Sequence, residues 1–250
     1  MIGIDLLSFP KPVLFEIGKK IEEIKDLINF CSTCKKLRSL IDLYWSNLLQ
    51  KHYPKSYDQK MNEEECKRRY KAIHRIKPKI LLFLIQNLKE KTELLKCDQF
   101  LNVVCTRELL GDTMIKIQKM NEKDGAKYLS EQDNKVINSF FMEINKNNNF
   151  FSLDFDTNEF NKSEDPKKYL KNLLEKTEED KLYLLTQFIQ LLHFSASLSE
   201  NKERRIQHFA QDFHYFFINH NCPFSLSLVQ ATIEIVTLII DERENIIPKI

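Results

Sequence analysis

At 250 residues, with 42% hydrophobic and 30% charged side chains, the chain has the balance of a folded soluble protein with room for a sizeable core. Its 38 basic and 36 acidic residues leave a net charge of +2, so no global field draws it to nucleic acid or to a membrane surface. Only 4 glycines and 7 prolines argue against turn-rich sheets, and the length suits one domain or a small module followed by a larger one.

The first stretch, from Phe9 to Leu49, carries three apolar runs at spacings of three and four residues, the pattern of short amphipathic helices. Phe9-Pro10 opens it, with Pro12 placed at or near the first helical position, where a missing N–H costs nothing. Val13, Leu14, Ile17, Ile21 and Ile24 form the first row. A second run starts at Asp26-Leu27 and passes through Phe30, Cys31, Cys34, Leu37 and Leu40, and Tyr44-Trp45 begins the third. Roughly 40 residues in three short helices bury too little surface to stand alone, so this stretch needs the chain behind it or a partner.

In this order the residues resemble an F-box, the module by which substrate receptors of cullin-RING ubiquitin ligases dock onto the Skp adaptor. That family's pattern opens with Leu-Pro, matched here by Phe9-Pro10, and continues with a hydrophobic pair (Val13-Leu14), an Ile (Ile17) and an Asp-Leu (Asp26-Leu27). Its Cys-Lys with basic residues and Leu is matched by Cys34-Lys35 with Lys36, Arg38 and Leu40, and its closing Leu-Trp by Tyr44-Trp45. Phe replaces the opening Leu, Tyr precedes the Trp, and the gap from Cys34 to Trp45 is about two residues shorter than the family's usual spacing. The resemblance implies an adaptor-docking edge made by Phe9, Pro10, Val13, Leu14 and Ile17, completed by Leu27, Cys34, Leu40 and Trp45. Some of these side chains must instead hold the helices together.

Beyond Trp45 the third helix ends near His52-Tyr53-Pro54. Asn62 followed by Glu63, Glu64 and Glu65 reads as an N-cap with an acidic first turn. The helix it starts carries Lys67, Arg68, Arg69, Lys71 and Arg75 and stops before Pro78. Acids first and bases last complement the helix dipole, so it reads as a solvated connector rather than a nucleic-acid helix. Apolar helices are expected from about 79 to 91 and from 98 to 110, the second stopped by Gly111. Residues 112 to 128 fit helix and irregular structure equally well. Ser130 with Asp133 caps a helix through Val136, Ile137, Phe140, Phe141 and Ile144.

Phe151, Leu153 and Phe155 alternate with polar residues, which suits at most a short β element near 150–156. Asp154, Asp156 and Asn158 have the spacing that begins a calcium loop. Glu159 stands where the loop needs glycine, however, and Asp165 where it needs the bidentate Glu. The last third is helical: Asp165-Pro166 starts one helix, Thr177 caps a long one, Ser199 precedes a third, and an almost wholly apolar helix from about 225 to 241 belongs at the centre. Gln230, Glu234 and its marginal length count against a membrane span.

The six cysteines sit mostly in apolar helical patterns. Cys31 and Cys34 have no second pair at zinc spacing, and His208, His214 and His220 are spread round a helix rather than on one metal-binding face. No nucleophile motif or phosphate-cradling glycine loop is visible, which favours a binding protein over an enzyme. No catalytic residue, cofactor or metal is assigned. The early Asp5 and the lack of a secretory pattern point to a cytoplasmic or nuclear protein, of the host cell if the chain is viral.

The expected fold is all-α: a three-helix F-box at 5–53, a connector helix within 54–78, and an irregular helical domain at 79–250. The resemblance implies an adaptor that binds a Skp-type protein and through it a cullin. The helical domain then holds an unknown target protein, with the Phe-rich segments 150–160 and 209–217 as the expected target surface. Neither nucleic acid nor membrane is an expected partner. The alternatives are a helical scaffold or decoy that binds Skp outside a ligase, and an unrelated all-helical protein.

Overall fold

Apolar repeats at helical spacing, punctuated by capping side chains, give this chain its architecture. The computed structural model describes residues 10–21, 24–32, 37, 40, 44–76, 78–91, 107–218 and 225–248. Among the described residues there are fourteen α-helices and no strand, so the fold is all-α. The chain divides into two compact units, Met1–Arg75 and Ile76–Lys249. Among the described residues no helix is long and apolar enough to cross a membrane.

In the first unit Pro10 occupies the N-cap of α1 (Lys11–Lys19), and Pro12 lies in its first turn. The Lys20 N–H turns back to the Ile17 carbonyl and closes the helix. Ile24, read as the end of the first apolar row, therefore opens α2 (Ile24–Ser32) instead. Next come α3 (Trp45–His52), a 3-10 turn at Pro54–Ser56, and α4 (Glu63–Arg75). The start of α4 is a reciprocal capping box: Asn62 Oδ1 accepts the Glu65 N–H at 2.9 Å, and Glu65 Oε2 accepts the Asn62 N–H at 3.0 Å.

α4 is not a solvated connector. Cys66, Tyr70 and Ile73 recur at helical spacing among its charges and are buried, and the helix packs against α3. The sequence-based boundaries at 54 and 78 thus differ from the single division at Arg75/Ile76, because this apolar stripe folds the helix into the first unit.

The second unit holds α5 (Lys79–Glu90), α6 (Arg107–Ile117), α7 (Glu122–Ser130), α8 (Asn134–Asn148), α9 (Thr157–Lys162), α10 (Pro166–Glu175), α11 (Glu179–Ser197), α12 (Lys202–Phe217), α13 (Leu226–Asp241) and α14 (Arg243–Ile246). α11 and α13 are central. α11 packs on α5, α12 and α13, while α13 packs on α9, α10, α11, α12 and α14. Residues 98–106 of one expected helix lie outside the described residues. Gly111 does not stop that helix but sits inside α6, whose apolar face continues to the buried Thr113 and Ile117.

Residues 112 to 128 resolve into the rest of α6, a turn, and α7, capped by Asn121, which accepts the Asp124 N–H. Asp133 caps α8, Asp165 caps α10 ahead of Pro166, and Ser225 caps α13. The cap residue of α11 is Glu178, while the Thr177 hydroxyl donates back to the Leu173 carbonyl of α10. Asn201 caps α12, two residues after Ser199. The one β feature among the described residues is an isolated parallel bridge between Leu153 and Ile218, inside the stretch where a short β element was expected.

Candidate functional site

The residues that carry the F-box resemblance separate by burial. Leu14 is wholly buried, and Leu27, Leu40 and Trp45 are at most 6% exposed. Pro10 is exposed, Val13 is 41% exposed, and Ile17 is half-buried. Those three lie at i, i+3 and i+7, along one side of α1. Phe9 and Cys34 lie outside the described residues. Leu14, expected in the docking edge, is core: its position one residue after Val13 turns it from the exposed side to the buried one.

Tyr44, which stands at the Leu of the closing pair, and Gly18, which no part of the resemblance covers, fix α1 in place. The Tyr44 hydroxyl donates within reach of the Leu14 and Phe15 carbonyls, at 3.2 and 3.0 Å, and its ring stacks on Phe15 with centroids 4.7 Å apart. Burial, then the charges of Cys31 and Glu16, push the Tyr44 phenol up to about 12, so it remains a donor throughout the physiological range. Gly18 makes room for that ring. A Cβ there would overlap the Tyr44 oxygen and come within 2.5 Å of its Cζ.

Trp45 belongs to an aromatic group with Tyr70, 5.8 Å away, which in turn meets Tyr53 at 5.4 Å. The Lys71 ammonium lies 5.9 Å from the Trp45 ring. Glu63, in the first turn of α4, caps α3 as well: its carboxylate accepts the Ser46 N–H at 2.9 Å and the Ser46 hydroxyl. Carboxylate and helix N-terminus attract each other, which ties α4 to α3 through a charge as well as through rings.

In the second unit most of the phenylalanines expected to receive a target are core, while Phe150 and Phe155 are half-buried. Phe151, Phe216 and Phe217 are fully buried, as is Phe188, and Phe160, Phe209 and Phe213 are nearly so. Phe151 stacks on Phe188 at 4.6 Å, with Phe141 and Phe216 round it. The buried Asn145 of α8 seats Phe151 by accepting its N–H at 3.1 Å, and its Nδ2 donates to the Phe216 carbonyl at 3.2 Å. The Leu153 N–H then donates to the Phe217 carbonyl at 3.0 Å.

Beside this pinned stretch lies a cleft of about 550 Å³. Its walls include Asn149, Phe150, Ser152, Leu153 and Asp154 on one side, with Leu173, Lys176, Thr177, Glu178, Asp180, Lys181 and Leu184 on the other. The Asp156 carboxylate, part of the calcium-like spacing, instead caps α9 by accepting the Asn158 and Glu159 N–H groups. Among the described residues no three His, Cys, Asp or Glu side chains gather as a metal-ligand group. Cys31 and Cys66 are free thiols, and burial pushes both up in pKa.

Comparison of the chain with protein-family models, curated proteins and solved structures finds no match.

Proposed function

We propose that this chain is an F-box adaptor: α1 to α3 dock a Skp-type adaptor, and through it a cullin, while the second unit holds a target protein for ubiquitin transfer. The observation that carries the reading is the division among the matching residues. Leu14, Leu27, Leu40 and Trp45 have the burial of a small core, whereas Pro10, Val13 and Ile17 leave an apolar row open on α1. Such a row, continuous rather than scattered, is the kind of surface that a partner covers. The chemistry of ubiquitin transfer then belongs to other subunits, and this chain needs no catalytic group. The role fits a protein of the cytoplasm or nucleus.

The test is binding of the full-length chain to a purified Skp-type adaptor. Val13→Asp places a charge in the exposed row without touching the core. It is expected to weaken binding by more than about tenfold, the effect of losing an anchor worth roughly 2 kcal/mol, while circular dichroism and the thermal midpoint stay unchanged. Leu14→Ala is unsuitable because it hollows the first unit's own core. Wild-type affinity in the Val13→Asp chain overturns the reading. Recovery of a cullin with the adaptor separates a ligase receptor from a decoy.

A further inference from the structure

The exposed side of α4 carries charge that the fold does not use. Arg68, Lys71 and Arg75 stand at i, i+3 and i+7, all three exposed, opposite the buried Cys66, Tyr70 and Ile73. At the helical rise they form one row about 10 Å long. The acids of this helix are engaged in its first turn. Glu63 holds the N-terminus of α3, Glu64 pairs with Lys67 at 3.6 Å, and Glu65 closes the capping box. Neither Arg68 nor Arg75 has an ion pair or a side-chain hydrogen bond among the described residues, and Lys71 has only the Trp45 ring, 5.9 Å away.

Helix formation does not account for this row. The helix dipole favours a cation in the last turn, which covers Arg75, but its effect fades before Lys71 and Arg68 are reached. Lys71 has Lys67, Arg68 and Arg75 as neighbours at helical spacing, and like charges so placed oppose the helix. A local conflict of this kind, on a helix whose other side is packed, marks a surface that serves a partner. The surplus extends to the whole first unit: residues 1–75 hold 15 basic against 10 acidic side chains, whereas residues 76–250 hold 23 against 26.

The surroundings of the row narrow the partner's chemistry. A nucleic-acid single strand needs aromatic faces to stack on, and the rings beside this row, Trp45, Tyr53 and Tyr70, are buried. A duplex needs a broad basic field, but this row is one residue wide, Glu64 stands exposed at its N-terminal end, and the second unit carries an acidic excess. A line of carboxylates on a protein fits a single narrow row, and the two guanidiniums offer each carboxylate a pair of N–H donors.

We propose that Arg68, Lys71 and Arg75 dock an acidic stretch of a partner protein, whose Asp or Glu side chains lie in line along α4. This surface does not rest on the adaptor reading.

The test titrates the full-length chain against labelled poly-glutamate by fluorescence anisotropy, at low and at physiological salt. The wild type is expected to bind, and to bind more weakly as salt rises. Arg68→Gln combined with Lys71→Gln is expected to lose about tenfold or more in affinity, the effect of removing charge-assisted contacts. Lys20→Gln combined with Lys60→Gln removes the same charge from exposed positions of the first unit outside the row, and is expected to bind close to wild type. The thermal midpoint of the Arg68/Lys71 variant is expected to match or exceed the wild type, since repulsion within α4 has been relieved.

Absence of poly-glutamate binding, equal losses in the two double variants, or a lower midpoint in the Arg68/Lys71 variant each overturn the proposal. Tighter binding of a DNA duplex than of poly-glutamate overturns it too. Val13→Asp is expected to keep poly-glutamate binding, so loss of adaptor binding alone overturns only the adaptor reading, and the reverse result overturns only this one.

Discussion

Single residues decide whether the first unit can present anything at all. Gly18 and Tyr44 act as one device, since the ring lies where a Gly18 side chain would be and its hydroxyl holds the carbonyls of the turn before. Gly18→Ala is therefore expected to cost about 1–3 kcal/mol of stability, the usual range for overpacking. In a Tyr44→Ala background the same change is expected to cost nothing or to stabilise slightly, because alanine is the better helix former. Denaturant titrations of the four chains in the cycle check this. Equal costs in both backgrounds would mean that the ring and the glycine do not oppose each other.

At the scale of elements, α8, the stretch after it and α12 depend on Asn145. Asn145→Leu leaves the Phe151 N–H and the Phe216 carbonyl without their partner inside the core. Each orphaned group costs roughly 1–3 kcal/mol, so a loss of at least 2 kcal/mol in the second unit is expected. A thermal midpoint within a degree or two of wild type would show that water or rearrangement satisfies both groups. Nothing in the pattern around Asn145 announces this role, because its partner Phe216 lies 71 residues away.

Local signals were legible: the Asn62/Glu65 box, Asp133, Asp165 with Pro166, and Ser225 all cap where their chemistry says they should. Gly111 misleads because glycine marks a helix end only when the backbone turns left-handed after it. Gly111 has no left-handed φ and the α6 stripe runs on past it to Ile117, whereas the left-handed position among the described residues is Asn149, at the end of α8. The docking residues could be named from the first stretch but not sorted. Which of two adjacent positions, Val13 or Leu14, faces inward depends on Tyr44, some 30 residues on. The cleft was not legible, since its walls come together only once the core phenylalanines are packed.

Across the whole molecule, the sole tryptophan sits buried in the first unit, at Trp45, and the second unit has none. The chain consequently labels its two halves with different light. Indole emission reports residues 1–75 alone, whereas far-ultraviolet ellipticity comes mainly from the second unit, which holds ten helices among the described residues. Denaturant curves recorded by the two signals are expected to have different midpoints, and coincident curves would mean one cooperative transition. If the adaptor binds as proposed, adding it should displace the emission curve to higher denaturant and leave the ellipticity curve largely where it was, since a ligand stabilises only the part that must be folded to hold it. The protein thus carries an intrinsic optical assay for which half a partner has engaged, with no dye and no fused tag.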